Sequence, residues 1–228
     1  RLGTDYIDLY YLHMWDHTTP IDEVMRAFDD LVRAGKVLYA GLSDTPAWIA
    51  SSAQTMADLR GWPRLAAIQA PYSLADRSLE REIFPMAKQF GMAALVWGLL
   101  EAGELTGKYN TPTAEPKRNS QASPKNLVLA ETVMTVAHEV GRSPAQVAIN
   151  WVRQQQEKAQ IIPIIGSRSE KHIKDNIACL EFTLSGEQLK RLADASPIDL
   201  GFPSTFFGSE GVKDLIFGGT YNMIDHRF

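Results

Sequence analysis

Arg1-Leu-Gly-Thr-Asp-Tyr-Ile-Asp-Leu-Tyr-Tyr-Leu-His13 reads as a helix end, a strand, and a histidine at the strand's C-terminal edge. Tyr6–Leu12 is β-rich. Two-residue alternation puts Ile7, Leu9, Tyr11 and His13 on one face. Outward from this stretch the same punctuation recurs. Thr19-Pro20 predicts an N-cap with proline at the first helical position, and Asp22 and Glu23 suit the first turn. Ile21, Val24, Met25, Phe28, Leu31 and Val32 follow at helical spacing, and Gly35 stops the helix.

Four more units follow. Val37–Leu42 is a second strand, with Thr45-Pro46 capping the next helix in the same way. Leu65–Ala70 is a third strand, followed by a helix from about Leu79 to Phe90 that Gly91 ends. Met92–Trp97 is a fourth. Residues 98–125 form a connection longer than usual, hence one expected to be functional or mobile. Two helices come next, the second opened by the capping box Ser143-Pro-Ala-Gln146, and Ile161–Ile165 is the fifth strand. Ser167–Glu170 and Ser185–Gln188 fit two further capping boxes. Residues 197–228 read as an extended C-terminal tail draped over a single domain spanning 1–228.

Strand and helix alternating five times predict a parallel sheet with helical crossovers. The apolar runs Ala93–Val96 and Ile161–Ile165 suit strands buried on both faces. Patterning alone leaves open a doubly wound sheet or most of a (β/α)8 barrel. No Gly-x-Gly-x-x-Gly follows any strand, which weighs against a Rossmann half.

Composition excludes a little more. Of 228 residues 45% are hydrophobic and 22% charged, an ordinary globular balance. A formal charge of −4 offers no basic face for nucleic acid. No run approaches the ~18 apolar residues of a membrane span. The single cysteine, Cys179, suits a reducing cytosol and supplies no zinc ligand set. His13 and His17 stand four apart, but Pro20 keeps them in a loop with no third ligand, so no metal is expected.

Five stretches resemble the aldo-keto reductases, in particular their aryl-alcohol-dehydrogenase-like branch: Gly3–His13, Gly35–Ser43, Ile68–Ser73, Leu105–Tyr109 and Ile162–Arg168. They occur in the family's order and at its spacing. The resemblance implies a (β/α)8 TIM-type barrel whose C-terminal mouth holds NADP(H) and reduces aldehydes or ketones. It aligns Arg1 with the start of the fourth strand, leaving about five C-terminal βα units, strands 4 to 8, in this sequence. Of the family's catalytic aspartate, tyrosine, lysine and histidine, only the histidine then falls here, as His13. A tyrosine near its usual pKa is a poor acid at neutral pH, so the absent lysine matters. On residue type alone His13 is equally a surface histidine at a strand end.

The resemblance also implies a cofactor site. Ser43, Asp44 and Gln69 would hold the nicotinamide carboxamide, which needs both donor and acceptor, and Tyr72 would stack under its ring. Asp44 is otherwise a turn residue before Pro46, and Tyr72 a core tyrosine. Trp97, Gly98 and Leu99 would approach the pyrophosphate, with Leu105, Gly107 and Lys108 folding over it, although Glu101 and Glu104 sit awkwardly beside that charge. Lys108 reads alternatively as a loop lysine. Gly166, Ser167 and Arg168 would bind the adenosine 2′-phosphate at a helix N-terminus, favouring NADP over NAD. His172, Asp175 and Asn176 would face the adenine; the blander reading is a capped surface helix.

The leading expectation is an NADPH-dependent carbonyl reductase with a small carbonyl substrate and no nucleic-acid or membrane partner. Trp15, Phe206 and Phe207 could line a pocket for an aromatic substrate, though ordinary packing explains them too. The alternative is a catalytically inactive homologue that binds NADP(H) as an auxiliary subunit. Either way the edge strands need cover, from an N-terminal segment or by self-association.

Overall fold

The computed structural model describes residues 2–111, 117 and 119–225. The chain divides into two compact units, Arg1–Ser196 and Pro197–Phe228. The first is a parallel sheet in the spatial order β1-β2-β3-β4-β5, the order of the sequence. A doubly wound sheet would reverse direction at a switch point. This sheet never does, so the winding is that of a (β/α)8 barrel, realised over five units.

The elements of this unit follow in order: β1 (Ile7–Leu12), α1 (Ile21–Arg33), β2 (Val37–Ser43), α2 (Ala47–Arg60), β3 (Leu65–Pro71), α3 (Ile83–Phe90), β4 (Ala93–Trp97), α4 (Pro124–Val140), α5 (Pro144–Arg153), β5 (Gln160–Pro163), α6 (Glu170–Ile177) and α7 (Gly186–Asp194). Alternation sorts the strands into two faces. Ala40, Leu42, Ile68, Ala70, Ala94, Val96 and Ile161 are buried against the helices, beside Met25, Phe28, Ala53, Phe84, Val147 and Trp151. Each large side chain so buried contributes about 1.5–3 kcal/mol. The opposite, inner face stays open: Tyr39 is 60% exposed, Ile162 44% and Trp97 40%. Parallel strands are ordinarily covered on both faces.

Several helix starts differ from the sequence expectation. α1 and α2 begin one residue later than proline at the first helical position requires. Pro20 and Pro46 are the N-caps, with ψ of 138° and 143°, and no side chain caps either helix. Thr19 Oγ1 instead donates to Asp16 Oδ2 at 2.6 Å, and Thr45 Oγ1 to the Ser43 carbonyl at 2.9 Å. Both threonines serve the preceding turn, because a short hydroxyl reaches local backbone as readily as a helix end. The expected helix from Leu79 splits into a 3-10 turn, Ser78–Glu80, and α3. The boxes at Ser143/Gln146 and Ser185/Gln188 form as expected. At the last βα turn the cap is Ser169, not Ser167, since Ser167 Oγ donates to the Ser169 carbonyl at 2.7 Å.

A buried ionic cluster ties the 3-10 turn to the helical layer. Glu80 accepts from Arg77 at 2.8 and 3.0 Å and from the Tyr72 hydroxyl at 2.7 Å. Arg77 also donates to the carbonyls of Ala193 and Ser196 at the end of α7 and lies over the Trp151 ring. Burial alone would raise the Glu80 carboxyl, but these donors and the Arg77 and Lys158 charges outweigh it, so its pKa is lowered.

Within the second unit, α8 (Ser204–Gly208) and α9 (Glu210–Phe217) replace the extended tail expected from sequence. Ser209 closes the first by donating to the Phe206 carbonyl and precedes the second.

Candidate functional site

The C-terminal ends of the strands gather most of the candidate residues. Leu12 pairs with Leu42, so His13 stands level with Ser43, which pairs with Gln69, itself level with Leu95 and Ile162. His13, Ser43, Gln69, Leu95 and Ile162 are inner-face positions, unlike Leu12 and Leu42. His13 is exposed, and the loop beyond it is fixed by Asp16, whose carboxylate accepts from the Thr18 and Thr19 backbone and the Thr19 hydroxyl. Those bonds, the Thr19 hydroxyl foremost, hold the Asp16 carboxyl well below the usual range. Trp15 is buried, which favours packing over a substrate wall.

Ser43 is fully buried, yet its Oγ has no hydrogen-bond partner among the described residues. A buried orphan hydroxyl is costly and therefore informative. Asp44 continues the ladder, its N–H donating to the Gln69 carbonyl at 3.0 Å, and adopts φ 46°. That left-handed turn releases the Asp44 side chain from strand alternation. Ser43, Asp44 and Gln69 thus form a polar trio offering donor and acceptor atoms, which fits a carboxamide. Below them Tyr11 crosses over Gly41: a Cβ there would lie 2.5 Å from Tyr11 Cε1 and 3.0 Å from the Ala67 carbonyl oxygen. The Tyr11 hydroxyl is also buried without a partner, and burial pushes its pKa up to about 12. Alternation placed Tyr11 on this face, but nothing in the sequence marked its hydroxyl as unsatisfied.

Tyr72 requires a correction. Its ring is fully buried, edge-on to Phe84 at 4.7 Å and stacked on Trp151 at 5.8 Å. It stands three positions after Gln69, so alternation turns it to the helix side, where burial and Glu80 drive its phenol pKa strongly upward. It offers no face to a ligand. Trp97, paired with Pro71 and on the inner face two residues beyond Leu95, is the aromatic ring that does.

Beyond β4 the long connection begins with a kinked 3-10 segment, Glu101–Thr106. Leu99 and Leu105 are buried, so their side chains anchor the loop and only backbone is left for a ligand. Glu104, buried, accepts from Asn119 Nδ2 at 3.1 Å, the Ser123 N–H at 3.2 Å and Asn126 Nδ2 at 2.8 Å. Burial opposes its charge, but the three donors outweigh that and lower its pKa. It is a structural tie between this loop and the start of α4. Glu101 accepts from Ser73 Oγ at 2.8 Å, and burial with the nearby Asp76 and Glu104 raises its pKa. Gly107 has φ 79°, and a Cβ there would meet Met134 Sδ at 2.5 Å, so glycine is needed. The Lys108 side chain folds back over Gly103, itself at φ 93°.

At the last βα turn Gly166, Ser167, Arg168 and His172 are exposed at the N-terminus of α6. Asp175 and Asn176 are committed elsewhere. Asp175 accepts from Ser143 Oγ at 2.9 Å and Gln146 Nε2 at 2.8 Å, joining α6 to the α5 cap. Asn176 is buried and donates to the Gly166 carbonyl at 3.2 Å, holding the turn. Both were expected to face an adenine. Their one-turn spacing from His172 is real, but Asp175 and Asn176 point back into the protein.

Among the described residues no three His, Cys, Asp or Glu side chains gather as a metal site, and no helix is long and apolar enough to cross a membrane. None of the inner-face strand positions carries a lysine or carboxylate.

The aldo/keto reductase family model matches residues 1–197. A putative aryl-alcohol dehydrogenase of Saccharomyces cerevisiae is 36% identical over 219 residues, covering 92% of this chain and 75% of that protein. A norsolorinic acid reductase of Aspergillus flavus is 37% identical over 206 residues, covering 90% and 52%. The aryl-alcohol dehydrogenase [NADP(+)] of Phanerodontia chrysosporium is 34% identical, covering 98% and 58%. The chain thus spans roughly half to three quarters of these relatives' length, and it belongs to the aldo/keto reductase family.

Proposed function

We propose that this chain forms the cofactor-holding side of an NADP(H)-dependent carbonyl reductase acting on small aldehydes or ketones, aryl aldehydes among them. The carrying observation is the orphaned, fully buried Ser43 hydroxyl beside Gln69 and Asp44 at the strand ends. The relatives named as aryl-alcohol dehydrogenases and as an NADP(+) enzyme support the reaction class. When bound, the dinucleotide supplies the hydride.

In this reading Ser43, Asp44 and Gln69 grip the carboxamide, and Trp97 lies against the ring and fixes which face is presented. Gly98 and the backbone of Leu99 and Leu105–Lys108 line the pyrophosphate, with Lys108 as counter-charge. Gly166, Ser167 and Arg168 receive the 2′-phosphate at the N-terminus of α6. His13 orients the carbonyl by donating a hydrogen bond to its oxygen. The proton for that oxygen must come from elsewhere, since the inner face offers no lysine-tuned tyrosine and the buried Tyr11 holds its proton too tightly. Barrel strands from a preceding polypeptide segment supply that acid and cover the open inner face. The protein works in a reducing compartment such as the cytosol, which the buried thiol of Cys179 suits.

The second reading, an inactive NADP(H)-binding auxiliary subunit, is favoured by the same lack of lysine and carboxylate on the inner face. Turnover by a longer polypeptide that also carries the preceding barrel strands separates the two: the reductase consumes NADPH with an aryl aldehyde, the auxiliary subunit does not. Protein of these 228 residues should quench NADPH fluorescence but not consume NADPH with an aryl aldehyde. Turnover that disappears in His13→Ala would show that the acid lies within this chain.

A further inference from the structure

A second concave feature lies outside the inner face, between the N-terminal ends of α2 and α3. It is a cleft of about 620 Å3, within the usual range for small-molecule sites. The buried Ala70 and Leu79 form its floor, and Trp48 and Ile83 its walls. Trp48 is 69% exposed and takes part in no aromatic pair among the described residues. A tryptophan left so open keeps a large π-face available to a ligand. The exposed rim carries Asp44, Glu82 and His17, and none of the described lining residues is Lys or Arg.

We propose that this cleft binds small organic cations with an aryl or alkyl body, of the arylalkylammonium class. An apolar floor and an aromatic wall take the hydrocarbon part. The face of Trp48 and the Asp44 and Glu82 carboxylates attract the positive head, which a quaternary ammonium presents without strong hydration. Anions of the same shape meet two carboxylates and no compensating cation. The floor residues Ala70 and Leu79 face the helical layer, whereas Gln69 and Trp97 face inward, but Asp44 stands at the rim of both sites. Trp48 and Glu82 belong to this cleft alone, so variants there test it apart from the reductase reading.

The test is calorimetric titration with benzyltrimethylammonium, benzyl alcohol and benzoate at pH 8. An eleven-atom ligand on an open cleft should bind with a dissociation constant on the order of a millimolar. Benzyl alcohol should bind about fivefold more weakly and benzoate not measurably. Trp48→Ala and Glu82→Gln change exposed side chains and should fold normally by circular dichroism, while weakening the cation about fivefold and about threefold. Equal binding of benzoate and the ammonium, no saturation by about 50 mM, or an unchanged affinity in Trp48→Ala would overturn the assignment.

Discussion

Glu104 lets the architecture of the cofactor-side loop be tested in energetic terms. Its two carboxylate oxygens receive three donors from residues 15 to 22 positions away. A hydrogen bond to a charged group contributes about 1.5–3 kcal/mol when buried, but the two asparagine amides can rehydrate once the loop opens, so the sum is discounted. Glu104→Ala should therefore destabilise the protein by about 3 kcal/mol. Glu104→Gln keeps one acceptor oxygen and turns an amide NH2 toward the other donors, costing about 2 kcal/mol. The sign with pH follows from the lowered pKa. A carboxyl depressed on folding stabilises above its unfolded pKa of about 4.3, and that stabilisation is lost as pH falls through the folded value. Urea unfolding from pH 7 to pH 3 should show a constant gap between wild type and Glu104→Gln above about pH 5. The gap should close in acid. Limited proteolysis at pH 7 should cut the variant between residues 98 and 125 first. A loss under about 0.5 kcal/mol for the alanine variant, or a gap that stays unchanged as pH falls from 5 to 3, would refute the tie.

Three other substitutions separate packing from binding. Gly41→Ala places a methyl 2.5 Å from the Tyr11 ring and 3.0 Å from a backbone oxygen that cannot swing away; it should cost about 1–3 kcal/mol by urea unfolding, and Tyr11→Leu should restore most of that. Ser43→Ala removes a buried hydroxyl with no partner, so stability should stay level or rise slightly while NADPH affinity falls about fivefold by fluorescence titration. Trp97→Ala should leave unfolding within about 0.5 kcal/mol, since the ring is 40% exposed, yet abolish the quenching of protein fluorescence by NADPH.

Much of this was legible in the sequence. Strand alternation put His13 on one face with Ile7, Leu9 and Tyr11, because a period of two survives small errors at a strand end, whereas Ser43 and Gln69 came from the family-like stretches. The helix starts did not survive such an error: the Thr19 and Thr45 hydroxyls can accept from the helix's first N–H groups or donate to an acceptor in the preceding turn, and only three-dimensional geometry selects between them. Tyr72 was misplaced for a related reason, an odd spacing from Gln69 that alternation should have flagged. Asp175 and Asn176 were lost to long-range partners, Ser143, Gln146 and the Gly166 carbonyl, which helical periodicity on α6 cannot reveal. Glu104 reads in sequence as an awkward charge beside a phosphate; its three donors, Asn119, Ser123 and Asn126, come from 15 to 22 residues away, which no local pattern reveals. The sequential strand order, by contrast, had no signature in the βα pattern, and only the family-like stretches pointed to a barrel.

The central claim is that these strand ends and the N-terminus of α6 together form a site for NADP(H). Equilibrium titration of the purified 228-residue chain with NADPH and with NADH, for wild type and Arg168→Ala, tests it directly. The account predicts saturable NADPH binding that exceeds NADH binding, with Arg168→Ala weakening NADPH about tenfold and NADH little. Equal loss for both nucleotides would contradict the 2′-phosphate assignment, and no saturable binding of either would contradict the site itself.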